Sequence, residues 1–220
     1  MKRYLLIILQ TLCVGVCIPL RAQSTTYYCN NKYCIELPNK LELQSSELNS
    51  IRNVNTDSNK PRINISTLSR NIIFQQKGLN ADIESAYKKY CRVIIQYFKQ
   101  NRNAPVFGVG DKIVIDKDIL YDIYEAANEN CLSTGTPLLK LMSKEAISIN
   151  GFPVIYYSYK RKGVLKENGK RCPPVIVNVY TIYNKYEYVI LTFSYREAER
   201  ENWKGIYKNI IKTFSFTRKY

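Results

Sequence analysis

The chain has 220 residues, with 33 Lys and Arg against 18 Asp and Glu, and its formal net charge at pH 7 is +15. It contains no histidine, which excludes Ser-His and Cys-His nucleophiles and zinc sites of the usual Cys/His type. No four cysteines stand at metal-ligand spacing, so the sequence predicts neither a metal nor a cofactor.

Residues 1–22 have the pattern of a secretory signal peptide. Lys2 and Arg3 precede an apolar run from Tyr4 to Leu20, and the small residue Ala22 marks the expected cleavage site. The run is shorter than the roughly 20 apolar residues that span a bilayer, and no later run is longer. We therefore expect an exported protein, periplasmic or secreted, without a transmembrane span in its mature chain.

The segment after the signal peptide is predicted to hold two short strands within otherwise polar chain. Residues 23–32 are polar and expected to be flexible, and residues 33–220 are expected to form a single domain of ordinary size. Tyr33 to Leu37 and Asn71 to Gln75 have the composition of strands, whereas the polar stretch 39–67 is interpreted as a loop or a short helix.

The clearest predicted helix runs from Asp82 to about Gln100, because its apolar residues recur at steps of three and four. The stripe consists of Ile83, Ala86, Tyr87, Tyr90, Cys91, Ile94, Tyr97 and Phe98. A brief strand is predicted at Ile113 to Ile115. A second helix, capped by Asp116 or Asp118, is predicted to end near Asn130.

The second half is predicted to be rich in strands. Asn150-Gly151 lies between two strand-like runs, 144–149 and 152–160, which is a strong hairpin signal. A second hairpin is predicted to pair 174–183 with 186–195, since Val, Ile and Tyr favour strands. A helix over 197–212, with Trp203 and Tyr207 on its inward stripe, and a short strand at 214–216 end the chain.

This order of elements resembles the PsbP-like superfamily, which includes the extrinsic PsbP protein of photosystem II and many exported bacterial proteins. The resemblance rests on six features in chain order. They are the strand Ile72 to Gln75, the predicted helix from Asp82, the segment Ile149 to Pro153, the tyrosine-rich strand Val154 to Tyr159, the second hairpin, and the closing helix with its ending Thr213 to Phe216. It implies an α+β fold with a single antiparallel sheet flanked by helices, an α/β/α sandwich. It implies no catalytic residue, because the group shares no active site. The Ala22-Gln23 ending also resembles exported proteins of Bacteroidetes.

Five cysteines remain after the signal segment, an odd number that leaves at least one unpaired within the chain. Cys29 and Cys34 flank a turn-like segment and are candidates for a small loop disulfide. Cys131 and Cys172 both lie beside predicted loops and are a second candidate pair. Cys91 lies on the apolar face of the first predicted helix, where a buried free thiol is the usual outcome.

One loop concentrates positive charge and is the candidate binding site. It carries Arg161, Lys162, Lys166, Lys170 and Arg171, opposed only by Glu167. Such a cluster can bind an anionic glycan, a lipid phosphate or an acidic protein face, although a solvated basic loop is the more ordinary interpretation. The many tyrosines of the predicted sheet offer a second candidate surface, with packing under the helices as the ordinary alternative.

The leading hypothesis from the sequence is an exported, non-enzymatic protein of the cell envelope that binds another protein. A binder of anionic glycan or lipid through the basic loop is the alternative, and a carboxylate-dependent extracellular hydrolase would require two acids in one cleft. Export makes nucleic acid an unsuitable partner.

Overall fold

The computed structural model describes residues 24–44, 51–55, 62–65, 71–81, 89–101 and 105–218. The predicted signal segment lies outside the described residues. The fold is α+β. Within the described residues it combines strands with two α-helices, α1 (Lys117–Ser133) and α2 (Arg200–Thr213), the second preceded by a 3₁₀ turn at Glu197–Glu199. Neither described helix is long and apolar enough to cross a bilayer.

The larger sheet has seven strands, and its neighbouring strands are all antiparallel. Its strands in spatial order are β3 (Leu41–Leu43), β6 (Asn71–Gln76), β7 (Cys91–Lys99), β11 (Glu187–Arg196), β10 (Val175–Asn184), β9 (Phe152–Arg161) and β8 (Leu138–Ile149). The β8–β9 hairpin turns at Asn150-Gly151 as predicted, with positive φ at both residues. The β10–β11 hairpin is also formed, but it turns at Lys185-Tyr186, one residue later than predicted.

A second sheet of five strands makes the predicted single sheet wrong. Its strands in spatial order are β12 (Ser215–Phe216), β2 (Tyr33–Pro38), β1 (Thr25–Cys29), β5 (Arg62–Ile65) and β4 (Ile51–Asn55). The segment 23–32, expected to be flexible, thus contributes β1, and the polar stretch 39–67 contributes β3, β4 and β5 instead of a loop or helix. Pairing with β2 and burial of Tyr28 against Phe74, with ring centroids 4.7 Å apart, hold β1 in place.

The helix predicted from Asp82 to Gln100 is wrong over its described part, since Cys91–Lys99 form β7. Cys91, Val93 and Ile95 are buried on one face of that strand, while Ile94 is half-buried on the other. Side chains of a strand alternate between two faces, and both faces of β7 carry apolar residues. Apolar residues therefore also recur three and four positions apart, which is the spacing expected of an amphipathic helix. Residues 82–88 lie outside the described residues.

The main core lies between the two sheets and α2. Its cluster of buried side chains includes Ile35 and Leu37 of β2, Val93 and Leu191 of the larger sheet, and Trp203 of α2. A smaller cluster fills the space between α1 and the opposite face of the larger sheet. Asp116 caps α1 as predicted, accepting a 2.9 Å hydrogen bond from the Ile119 amide, whereas the strand predicted at Ile113 to Ile115 does not form.

The cysteines divide into one pair and three buried thiols. Cys29 and Cys34 are joined in a disulfide across the β1–β2 turn. Cys131 and Cys172, the second candidate pair, are not joined, and both are buried free thiols. Cys131 lies on the buried face of α1. Cys91 is a buried free thiol as expected, although on a strand, and burial raises its pKa to about 12.

Candidate functional site

A row of cations follows one side of α2, and we call it the basic ridge. It consists of Arg200, Lys204, Lys208 and Lys212, all exposed and spaced four residues apart. Residues four apart share a helix face, so the ridge flanks the buried stripe that anchors α2 to the core. None of these four side chains forms an ion pair with a carboxylate among the described residues.

The basic ridge forms one wall of a groove of about 750 Å³. Its floor is the face of β8, β9 and β10 that the five-stranded sheet leaves uncovered. Strand register places Ser143, Ser158 and Asn178 in one row across this floor, and Tyr156 lies beside Tyr180 in the next row. The floor therefore offers hydrogen-bonding groups next to aromatic surface.

The aromatic row is held in a fixed arrangement. The rings of Tyr156 and Tyr180 stack with centroids 4.7 Å apart, and the Tyr156 hydroxyl donates a 3.1 Å hydrogen bond to Asn178 Oδ1. Tyr180 also meets Phe193 edge-on at 5.7 Å. Burial is the main cause that raises the pKa of Tyr180, so its hydroxyl is neutral and acts as a hydrogen-bonding group near pH 7.

Two contacts fix α2 above the larger sheet, near opposite ends of the helix. Lys160 Nζ of β9 lies 2.7 Å from Glu197 Oε2, just before the helix begins. At the other end, the Asn150 side-chain amide donates to the carbonyls of Lys212 and Phe214 at 3.0 and 2.7 Å. The groove is therefore present before any ligand arrives.

The charge of this groove is strongly one-sided. Glu145 on β8 is the single carboxylate among its lining residues in the described part of the chain, against the four cations of the basic ridge. A groove with two carboxylates, as glycosidase chemistry requires, is not formed here. The charge and shape of the groove suit an elongated, negatively charged ligand.

The structure divides the five basic-loop residues predicted as a binding site among different environments. Arg161 turns toward Tyr90, its Nη2 donating to the Tyr90 hydroxyl at 3.4 Å. Arg171 Nη1 donates to the carbonyls of Gly135 and Gly163, so it braces the loop. Lys166 and Lys170 lie at a turn closed by their own backbone hydrogen bond, and Lys162 is exposed.

Sequence reasoning missed the basic ridge, although the signal was local. The last helix and its inward stripe were predicted, and the cations at intervals of four were visible in the same segment. Only the tertiary structure, however, places the uncovered strands β8–β10 beside that helix face. The tyrosine surface considered from the sequence is partly in the groove, where Tyr156 and Tyr180 line its floor.

No family model and no curated protein matches the chain. Among solved structures it is similar to cyanobacterial PsbP (CyanoP) from Synechocystis sp. PCC 6803, with 15% identity, TM-score 0.48, and 92% of this chain and 98% of that chain covered. It is also similar to a Pseudomonas aeruginosa protein of unknown function described as a putative regulator, with 13% identity, TM-score 0.41, and coverage of 74% and 94%.

A third similar structure comes from Bacteroides thetaiotaomicron, with 10% identity and TM-score 0.40; 84% of this chain matches 45% of that chain. The first of these likenesses is to a PsbP-like fold, the group that the order of sequence elements resembles. At such identities a likeness concerns the fold alone, so the function has to be argued from the groove.

Proposed function

We propose that this chain is an exported, non-enzymatic binding protein of the cell envelope, and that it recognises an acidic segment of another protein in the groove between α2 and strands β8–β10. The observation that carries the proposal is the basic ridge, four exposed cations without a carboxylate partner among the described residues. Complementary charge across an interface gives specificity and accelerates association.

The spacing of the ridge suits an extended peptide. Residues four apart on a helix are separated by about 6 Å along its axis, and alternate residues of an extended chain by about 6.7 Å. Carboxylates at every second position of a partner segment would therefore follow the ridge with little change of register. The whole ridge is about 18 Å long, which corresponds to five or six extended residues.

The floor of the groove favours a peptide over a glycan. Side chains of an extended peptide alternate in direction, so one set meets the basic ridge while the other meets the sheet. Tyr180, Ile147 and Ile176 supply apolar surface for that second set, and Asn178 supplies a donor and an acceptor for backbone groups. Aromatic and polar groups beside each other are typical of protein-binding surfaces.

The test is fluorescence anisotropy with a labelled peptide of four Glu-Ala repeats. We expect saturable binding that weakens as salt rises from about 50 to about 300 mM, because exposed charges are screened. Reversing two ridge charges in K204E/K208E should weaken binding about 10-fold or more, since hydrogen bonds to charged groups contribute about 1.5–3 kcal/mol each. The matching Gln-Ala peptide should bind far more weakly.

The matched control is K162E/K166E, which changes the net charge by the same amount in the basic loop. Because these two residues lie outside the groove, we expect less than about a threefold effect from the long-range field. An equal loss of affinity in both variants would mean that the peptide responds to the net charge of the protein and not to the groove. A loss of peptide affinity in the loop variant alone would place the anion-binding site in the basic loop. That result would favour the glycan or lipid alternative.

A further inference from the structure

Three arginines surround one tyrosine on the opposite face of the seven-stranded sheet, beside α1. The guanidinium carbons of Arg92, Arg161 and Arg196 lie 5.4, 5.8 and 5.1 Å from the centre of the Tyr90 ring. We call these four residues the arginine cluster. Cations at such distances are attracted by an aromatic face, which helps to hold three like charges together.

Strand register explains why residues so far apart in the sequence meet here. Val175 of β10 pairs with Arg196 on one side and Arg161 on the other, which places the two arginines about 10 Å apart across three strands. The Arg196 amide donates to the Tyr90 carbonyl at 3.1 Å. Arg92 pairs with Ser194 in the adjacent row on the same face.

The arginines of the cluster differ in the partners that they find within the described residues. Neither Arg92 nor Arg161 has a carboxylate at ion-pair distance there, and Arg92 forms no side-chain hydrogen bond there. Within the same part of the chain, Arg161 donates hydrogen bonds to the Tyr90 hydroxyl and the Lys162 carbonyl. Arg196 is 3% exposed and donates to the Pro173 carbonyl at 2.9 Å, so its charge lies deep in the wall of the cleft.

The cleft beside the cluster changes character along the strands. Beyond the row of Arg92 and Ser194, the next row on this face contains Ile94, Thr192 and Val179. Ile190 continues the apolar surface one row further along. The cleft has a volume of about 590 Å³, within the range of small-molecule sites, and no Asp or Glu occurs among its described lining residues.

We propose that this cleft binds a small amphipathic organic acid, with its anionic group at the arginine cluster and its apolar body along Ile94, Val179 and Ile190. Planar guanidinium groups bind carboxylate, sulfate and phosphate oxygens by paired hydrogen bonds. The neighbouring apolar rows bury a hydrocarbon body that a bare inorganic anion lacks. This site goes beyond the proposed function, because it lies on the other face of the sheet and takes a different class of ligand.

The experiment is isothermal titration calorimetry of the purified protein with decanoate below its micelle concentration. We expect saturable binding of decanoate. Inorganic phosphate lacks the apolar body and decyltrimethylammonium lacks the anionic group, so each should bind at least about 10-fold more weakly. R92Q removes a charge that lines the cleft and should weaken decanoate binding about 10-fold or more. K162Q removes an exposed charge next to Arg161 but outside the cleft, and should change it less than about twofold.

Circular dichroism will show whether R92Q folds. If it does not, R161Q provides a second test. Equal affinity of wild type, R92Q and R161Q for decanoate would overturn the proposal. Binding of decyltrimethylammonium as tight as that of decanoate would also overturn it, because the cluster would then play no part. Phosphate binding as tight as decanoate would leave only a site for bare anions and contradict the amphipathic ligand. Loss of decanoate binding with peptide binding intact would separate this site from the groove on the other face.

Discussion

The two faces of the seven-stranded sheet are built from the same strands but differ in chemistry. On the face toward the second sheet, Val189, Leu191 and Phe193 of β11 are completely buried in the main core. On the face toward α1, the intervening residues Thr192 and Ser194 and the neighbouring Arg196 line a cleft with three arginines. Alternation along a single strand thus separates packing from polar surface.

This asymmetry between the faces indicates which residues stabilise the fold and which are available for binding. The main core joins both sheets and α2 in one cluster, whereas among the described residues the smaller cluster under α1 leaves a cleft beside Tyr90. Substitutions toward the main core should therefore lower the free energy of unfolding. Substitutions at the cleft or the basic ridge should change binding while the fold persists.

The largest loss in the free energy of unfolding is expected from Phe193→Ala, which opens a cavity between the sheet and Tyr207. The ring centroids of Phe193 and Tyr207 lie 4.6 Å apart. Deletion of a buried aromatic side chain costs about 3–5 kcal/mol. Thr192→Ala changes the next residue on the opposite face and should cost less than about 1 kcal/mol. Urea denaturation measures both values, and similar losses for the two variants would refute the asymmetry between the faces.

A smaller effect is expected from Tyr207→Phe, which tests the polar contact inside the main core. The buried Tyr207 hydroxyl donates to the Ser194 carbonyl at 3.2 Å and lies 2.7 Å from Cys91 Sγ. Its removal leaves these groups without that partner, so we expect a loss of about 1–2 kcal/mol. Tyr121→Phe, at an exposed position of α1, is the control and should be nearly neutral in thermal unfolding.

The smallest effect is expected at the edge of the sheet, from Glu42→Gln on β3. Burial of Glu42 acts to raise its pKa, but the amides of Asn80 and Gly78, the Gln75 side chain and Lys77 together outweigh burial and lower it. Since the folded pKa lies below the unfolded value of about 4.5, the carboxylate stabilises the fold above that pH and the contribution is lost as pH falls through the folded pKa.

Unfolding midpoints in urea at about pH 7 and about pH 3 test this sign. Wild type should have a higher unfolding midpoint than Glu42→Gln at about pH 7, and the difference between the two midpoints should shrink at about pH 3. A difference that stays constant would mean that the amide hydrogen bonds, rather than the charge, stabilise this edge.

The predictions from sequence succeeded where pairing is local. Both hairpins of the second half follow from turn residues and alternating strands that are adjacent in the chain, and α1 follows from its Asp116 cap. The five-stranded sheet could not be predicted in this way, because β12 pairs with β2 across most of the chain and β5 lies parallel to β1. Such pairings depend on tertiary packing that no local window contains.

The candidate site shows the same limit. Arg161 was predicted as a binding residue from the sequence, but the other cations of the basic loop do not line the cleft. Arg92 was assigned to a predicted helix. Arg92 and Arg196 join Arg161 only through the register of β7, β11, β10 and β9. The spacing of the basic ridge was visible in the sequence, yet the uncovered sheet face that makes it a groove was not.

The central claim is that the groove beside the basic ridge binds an acidic protein segment, and NMR mapping tests it most directly. Backbone amide shifts would be recorded as the peptide of four Glu-Ala repeats is added to the isotope-labelled protein. We predict the largest changes in α2 around Lys204 and Lys208 and on β8–β10 around Ser143 and Asn178. Changes confined to the 161–171 loop, or to α1 and the arginine cluster, would contradict it.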